Sequence, residues 1–140
     1  MIAYFDTSAL VPLLVEEAGS ERAAVLWDAA SRVASVRLAY PETRAALAQA
    51  RRESRLTDRG LRQAAREFDR LFDQLDIVEI TPGLAHRAGE LAEAQALRGY
   101  DAVHVAAAEQ LLTDDLVVVA GDTEVLRAGR ALGLATATTG

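Results

Sequence analysis

The chain alternates short apolar runs with longer segments of helical periodicity, and this alternation limits the folds open to it. The most apolar run, LVVVA, has the length and β-branched content of a strand buried on both faces of a sheet. Strands separated by helices predict a central parallel sheet with helices on both faces, a three-layer α/β sandwich. The predicted strands are Met1–Phe5, Arg32–Val36, Asp76–Ile80, Leu116–Ala120 and Ala135–Thr138.

The segments between the strands carry apolar residues at helical spacing. Thr81 followed by Pro82 is typical of a helix start, with the threonine as N-cap and the proline at the first helical position. After the first strand, Thr7 or Ser8 is expected to cap a helix that has Pro12 in or near its first turn. The predicted helices are Ser8–Glu17, Ser20–Ala30, Tyr40–Glu53, Thr57–Leu75, Pro82–Leu97, Asp101–Leu112 and Thr123–Leu132.

Composition excludes several classes of chemistry. The 140 residues, read as one domain spanning 1–140, contain no cysteine and no lysine. Disulfides, thiolate nucleophiles, Schiff bases and P-loop phosphate sites are therefore excluded. The net charge of −6 argues against a general polyanion binder, so any contact with nucleic acid needs a local arginine patch. No apolar run approaches the ~20 residues that span a bilayer, which predicts a cytoplasmic protein with no membrane contact.

Four acidic residues lie at predicted strand ends or helix starts. Asp6 directly follows the first strand, and Asp122 follows LVVVA after one glycine. Glu42 lies in the first turns of a helix, and Asp101 opens the helix that leads into LVVVA. Ligand sites of parallel sheets lie beyond the carboxyl ends of their strands, so these acids can converge. Carboxylates that converge repel one another unless a cation neutralises them, and Mg²⁺ or Mn²⁺ prefers such oxygen ligands.

Each acid also has a simpler interpretation, because carboxylates at helix N-termini complement the helix dipole. This alternative covers any one of the four residues taken alone. Asp6 fits it least well, since a buried strand delivers Asp-Thr-Ser directly into a helix.

Four segments together resemble the PIN domain, and more narrowly the VapC ribonuclease toxins of bacterial toxin–antitoxin pairs. The DTSAL segment at 6–10 and the YDAVHVAAA segment at 100–108 are the specific parts of the match. Tyr40-Pro41-Glu42 and Gly121-Asp122 add weaker signals. The resemblance runs from the first residues to the last strand. One position departs from it: the family often has Ser or Thr two residues before the last aspartate, where this chain has Ala120.

The resemblance implies a PIN-like sandwich, endoribonuclease activity dependent on Mg²⁺ with Mn²⁺ as a substitute, a homodimer, and inhibition by a VapB-like antitoxin. It carries the catalytic and metal-binding roles onto Asp6, Glu42, Asp101 and Asp122. Asp6 and Asp101 are the expected primary ligands, and Asp122 is a second-metal or water-mediated ligand. Glu42 would ligate through water or position the nucleophile, so that a metal-activated water hydrolyses the RNA phosphodiester bond.

Further residues have two interpretations each. Thr7 and Ser8 would support the metal site or cap a helix. His104 lies one turn after Asp101, where it reaches the edge of the site or packs within an alanine-rich face, and packing is the favoured interpretation. Four arginines follow Glu42 with few acids among them and are candidates for steering RNA phosphates, although salt-bridged helices explain most arginines of this region. They are Arg44, Arg51, Arg52 and Arg55.

Two other classes of function compete with the nuclease. A Mg²⁺-dependent phosphoryl-transfer domain has a similar sheet and acidic pocket, but receiver domains need a lysine that this chain lacks. Phosphatases of the haloacid dehalogenase type need a second acid where Ser8 stands. A catalytically weak PIN-fold module that binds a protein partner is the remaining alternative, and metal-dependent cleavage of RNA would distinguish it.

Overall fold

A computed structural model describes all 140 residues. Five strands and seven helices follow one another, with a single 3₁₀ turn, Val11–Leu13, after the first helix. The strands are β1 (Ile2–Phe5), β2 (Arg32–Val36), β3 (Asp76–Val78), β4 (Leu116–Ala120) and β5 (Ala135–Thr138). The helices are α1 (Thr7–Leu10), α2 (Ser20–Ala29), α3 (Ala39–Arg52), α4 (Asp58–Phe72), α5 (Pro82–Gln95), α6 (Gly99–Gln110) and α7 (Thr123–Ala131).

All four strand pairings are parallel, and the order across the sheet is β3-β2-β1-β4-β5. The central strand β1 pairs with β2 on one side and with β4 on the other, so that Ile2 lies beside both Arg32 and Leu116. Strands β2 and β3 extend the sheet on one edge of β1. After β3 the chain crosses over, and β4 and β5 extend the sheet on the other edge of β1. The ends of β1 and β4 therefore border the crevice where parallel sheets bind ligands.

Side chains alternate across β1 and divide the core into two layers. Tyr4 points into one apolar cluster, which includes Leu91, Val105 and residues of α5, α6 and α7. Ala3 and Phe5 point into the other, which contains residues of α3 and α4. The strand carries no charge and is buried on both faces, as the LVVVA strand beside it is. The predicted α/β sandwich with a parallel sheet and helices on both faces is confirmed.

The predicted helix Ser8–Glu17 is wrong in length and in its cap. Helix α1 ends at Leu10, and Pro12 lies in the 3₁₀ turn that follows, since proline cannot donate to a continuing helical ladder. Asp6 is the N-cap rather than Thr7 or Ser8, and its carboxylate accepts from the backbone N–H of Ala9. This leaves both hydroxyl groups free to bond elsewhere.

Other predicted elements differ only at their ends. The strand predicted over Asp76–Ile80 ends at Val78, and the helix predicted from Asp101 begins at Gly99. Thr81 caps α5 with Pro82 at its start, which confirms that prediction. No helix combines the length and the apolar character needed to cross a membrane.

Candidate active site

A single pocket at the carboxyl edge of β1 and β4 contains all four predicted acids. Five carboxylates and one guanidinium line it, so its charge is strongly negative. The fifth carboxylate belongs to Glu17, which sequence reasoning did not single out. The polar side chains that line the pocket are Asp6, Thr7, Ser8, Glu17, Glu42, Arg98, Tyr100, Asp101, His104 and Asp122.

Asp6 lies deepest, at the point where β1 delivers the chain into α1, and it is only 3% exposed. Its Oδ1 accepts hydrogen bonds from the backbone N–H of Ala9 at 3.1 Å and from the hydroxyl of Ser8 at 2.6 Å. The pKa of Asp6 is raised to about 6, chiefly by burial and also by the charge of Asp122, while His104 and these two hydrogen bonds lower it. The folded protein therefore disfavours the ionised carboxylate.

Ser8 joins the ends of the two central strands. Its hydroxyl donates to Asp6 and accepts from the backbone N–H groups of Gly121 at 2.8 Å and of Asp122 at 3.0 Å. A Cβ at Gly121 would lie 3.0 Å from Thr139 Oγ1, so a side chain here would force Thr139 to shift. Ser8 thus sets the position of Asp122 relative to Asp6. Ala120, two residues before Asp122, has no hydroxyl that could do this.

Asp122 and Asp101 lie at the starts of two helices. Asp122 is the N-cap of α7, and its Oδ1 accepts from the N–H of Glu124 at 2.8 Å. Asp101 is in the first turn of α6 and is 6% exposed. Burial raises the pKa of Asp101, and the charge of Asp122 adds to this rise, while Arg98 lowers it. Both acids use their second oxygen to bind Arg98.

Arg98 is the cation of the pocket. Its Nε donates to Asp101 Oδ2 at 2.9 Å, and its Nη2 lies 3.5 Å from Asp122 Oδ2. The guanidinium also lies 4.8 Å from the centre of the Tyr100 ring, within cation–π range. The spacing of three residues between Arg98 and Asp101 is enough to predict their ion pair from the sequence. The contact of Arg98 with Asp122 is not predictable in this way, because it depends on how α6 and α7 pack.

Glu42 binds two neighbours through one oxygen. Its Oε1 accepts from the hydroxyl of Thr7 at 2.8 Å and lies 2.6 Å from His104 Nε2. Burial alone would raise the pKa of Glu42, but the hydrogen bond and charge of His104, the bond from Thr7 and the charge of Arg98 lower it below its usual range. These contacts therefore favour the ionised form of Glu42.

His104 is buried, as the favoured packing interpretation expected, and it also bonds to the site. It is 2% exposed, and its Nδ1 lies 2.9 Å from the hydroxyl of Tyr4. Sequence reasoning placed His104 near the site but missed both bonds, because Tyr4 and Glu42 are distant from it in the chain.

The four arginines proposed to steer RNA make separate contacts. Arg44 donates to the hydroxyl of Tyr40, and Arg52 donates to Gln49. Arg51 forms an ion pair with Asp58. Arg55 lies 3.6 Å from Glu17 and 2.9 Å from Glu53, so of the four it alone pairs with a residue that lines the pocket. Their contact with RNA stays a prediction.

The donor set of the pocket suits a hard divalent cation. No three carboxylate or histidine side chains are close enough together to enclose an ion as they stand, and Arg98 pairs with both Asp101 and Asp122. All candidate ligands are nevertheless carboxylate oxygens, the ligands that Mg²⁺ and Mn²⁺ prefer. The raised pKa values of Asp6 and Asp101 mark a cost of burying charge that a bound cation would offset.

Comparison with known proteins gives matches over most of the chain. The family model of the PIN domain matches residues 3–131. The chain is 44% identical over 132 residues to the ribonuclease VapC45 of Mycobacterium tuberculosis, a match that covers 94% of this chain and 92% of the relative.

Solved structures show the same fold at low identity. The toxin VapC20 of Mycobacterium tuberculosis, described as cleaving the sarcin–ricin loop, is 22% identical with a TM-score of 0.70, covering 91% of this chain and 95% of that one. A toxin–antitoxin complex from Klebsiella pneumoniae contains a chain that is 19% identical with a TM-score of 0.63, covering 86% and 87%.

Substitution Asp6→Asn should stabilise the metal-free protein at neutral pH. Asparagine keeps the acceptor for Ser8 and Ala9 but carries no buried charge. Because the folded pKa of about 6 lies above the unfolded value, the carboxyl group contributes stability below pH 4 that is lost as the pH rises through 6. We expect a gain in unfolding free energy of up to about 3 kcal/mol at pH 7.5 that vanishes towards pH 4.

Urea unfolding in EDTA at the two pH values measures this difference, with the exposed loop variant Asp114→Asn as control. A loss of stability at pH 7.5 for Asp6→Asn would show that the charged carboxylate is structural.

Substitution Arg98→Gln should tighten the binding of a divalent cation. The guanidinium neutralises Asp101 and Asp122 and has to leave before an ion can use both. Arg98 is 64% exposed, and ion pairs of such a surface arginine contribute about 0.2–1 kcal/mol each, so we expect Mn²⁺ affinity to rise roughly three- to tenfold. Calorimetric titration with Mn²⁺ measures this, and Arg127→Gln, which removes a comparable pair with Glu124, is the matched control. Unchanged or weaker binding in Arg98→Gln would contradict the competition.

Proposed function

The chain belongs to the PIN domain family and to its VapC-type ribonuclease toxins, and from this premise we propose that it hydrolyses RNA with the help of a divalent metal ion. The observation that carries the proposal is the convergence of Asp6, Glu42, Asp101 and Asp122, from four separate segments, in one pocket. Carboxylates beside a polyanionic substrate need a cation between them, and a phosphodiester is such a substrate.

Asp6, Asp101 and Asp122 are the residues proposed to hold Mg²⁺, for which Mn²⁺ would substitute. Asp6 and Asp101 are buried and carry raised pKa values, so they gain most from a neighbouring positive charge. When bound, the metal ion supplies Lewis-acid chemistry: it neutralises charge on the scissile phosphate and makes water a better nucleophile near neutral pH. The backbone N–H of Asp122 donates to the hydroxyl of Ser8, which therefore helps to position this ligand.

Glu42 is proposed to orient the attacking water. Its Oε1 is occupied by Thr7 and His104, whereas its Oε2 is not engaged by any protein donor. Its lowered pKa keeps it ionised and able to accept a hydrogen bond from water. Arg98 and Tyr100 lie at the rim of the same pocket, where a guanidinium can bind phosphate and an aromatic ring can stack on a base.

The proposed chemistry does not use the ribose 2′-hydroxyl. Cleavage through that group needs a general base and acid near neutral pKa, usually histidines. The one histidine of the pocket has both ring nitrogens in hydrogen bonds and is buried beneath Glu42 and Thr7. In-line attack by water, with departure of the 3′-oxygen, gives a 5′-phosphate and a 3′-hydroxyl.

Purified protein should therefore cut a defined RNA only in the presence of a divalent cation. EDTA should abolish cleavage, Mg²⁺ or Mn²⁺ should restore it, and Asp101→Asn should lower the rate by at least about a hundredfold, the scale of a lost electrostatic partner in a site. End analysis of the fragments should give 5′-phosphates and 3′-hydroxyls. Cleavage that survives chelation, or fragments with 2′,3′-cyclic phosphates, would contradict the proposed mechanism.

A VapB-like antitoxin is the proposed partner, together with a homodimer of this chain. The solved complex from Klebsiella pneumoniae supports the idea of a protein inhibitor. Within this chain, Arg98 already illustrates how a guanidinium fits between Asp101 and Asp122. We propose that the antitoxin presents an apolar segment with an arginine to the same acids, since arginine pairs with carboxylates through two hydrogen bonds.

Co-expression with the protein encoded beside it should yield a complex in which RNA cleavage is suppressed. The double variant Asp101→Asn/Asp122→Asn should bind that partner at least about tenfold more weakly, because the arginine loses its charged acceptors. Glu93→Gln, an exposed acid on α5 outside the pocket, should bind normally. A neighbour that neither co-purifies nor inhibits would count against the partner assignment.

A further inference from the structure

A buried chain of polar side chains runs from the core of the protein to Glu42. The hydroxyl of Tyr4 lies 2.9 Å from His104 Nδ1, and His104 Nε2 lies 2.6 Å from Glu42 Oε1. Tyr4 is fully buried on the central strand, and His104 is 2% exposed on α6. Their rings meet edge to face with centres 6.0 Å apart. The three residues come from three different elements of the fold.

The chemistry of the acceptor fixes the proton on the ring. A carboxylate can only accept, so the nitrogen beside Glu42 Oε1 carries the hydrogen. When the ring is neutral, its other nitrogen is an acceptor, and a phenol, which is protonated at neutral pH, donates to it. In the neutral ring the hydroxyl of Tyr4 therefore donates to Nδ1, and Nε2–H of His104 donates to Glu42. Only one of the two ring tautomers satisfies both bonds.

This arrangement determines which part of Glu42 remains available. Thr7 donates to the same oxygen that His104 binds, at 2.8 Å, so both protein donors hold Oε1. Oε2 has no protein partner. Two donors on one oxygen fix the orientation of the carboxylate and leave its other oxygen for a ligand in the pocket.

Packing alone does not account for polar atoms at these positions. The surrounding cluster is apolar, with Val105, Val118 and alanines of α6 about Tyr4. A buried hydroxyl or imidazole costs free energy unless it is hydrogen-bonded, and an apolar side chain of similar size would avoid that cost. We infer that these hydrogen bonds position Glu42, the one partially exposed residue among the three.

Resting on the proposed nuclease activity, we propose that His104, held in one tautomer by Tyr4, is a positioning residue that fixes Glu42 with a single free carboxylate oxygen. His104 touches neither substrate nor metal in this role and acts only through Glu42. The proposal predicts that His104 matters for turnover while Glu42 is present and ceases to matter when Glu42 is removed. A histidine that served only packing would affect both backgrounds alike.

A double-mutant cycle tests this. In protein that retains Glu42, His104→Ala should lower kcat about 10- to 100-fold with little change in KM. This is the scale of losing a residue that orients another residue of the active site. In the Glu42→Ala background the same substitution should change residual cleavage by less than about twofold. His104→Gln, which keeps an N–H donor, should recover part of the loss. His86→Ala on the exposed face of α5 is the matched control and should equal the wild type.

Two measurements keep the proposal falsifiable whether or not the variants retain activity. Long-range ¹H–¹⁵N spectra of the metal-free protein should show His104 with its proton on Nε2, and Tyr4→Phe, which keeps the ring packing, should shift it towards a tautomer mixture. A proton on Nδ1 in the wild type, or equal losses in both backgrounds of the cycle, would overturn the proposal. Absence of RNA cleavage in the wild type, with the Nε2 tautomer present, would instead overturn the proposed function alone.

Discussion

The burial of carboxylates at the end of the central strand is the constraint on which the site depends. Asp6 sits almost completely out of solvent beside Asp122, and burial raises its pKa to about 6. The folded protein tolerates this charge through specific partners rather than through water. Ser8 and the first turn of α1 donate to Asp6, while Arg98 supplies positive charge to Asp101 and Asp122. Burying these carboxylates thus destabilises the fold, and the hydrogen bonds and the charge of Arg98 partly offset that cost.

Hydrogen bonds from three side chains position the acids of the pocket. Ser8 joins the end of β1 to the turn after β4, Thr7 donates to Glu42, and His104 links Glu42 to the core through Tyr4. Since Asp6 itself caps α1, neither hydroxyl is needed for capping. Asp122 and Glu42 are therefore oriented by groups on other elements of the fold, which is the property that a site for charged ligands requires.

Local sequence patterns were enough to place the acids but not to describe their partners. Asp6 and Asp122 follow strands that the sequence marks clearly, and parallel pairing brings strand ends together whatever the loops do. The helix expected to run to Glu17 ends instead at Leu10, because Pro12 cannot donate to a continuing helical ladder.

The sequence by itself determined the layers, the parallel sheet and the edge at which the acids collect, since these follow from periodicity and from residues next to one another in the chain. The tertiary structure alone decided which acid each polar group serves. Tyr4 and His104 are 100 residues apart, Ser8 and Asp122 are 114 apart, and His104 and Glu42 are 62 apart. Hydrogen bonds reach only about 3 Å, so partners this distant in sequence are fixed by how the helices pack against the sheet.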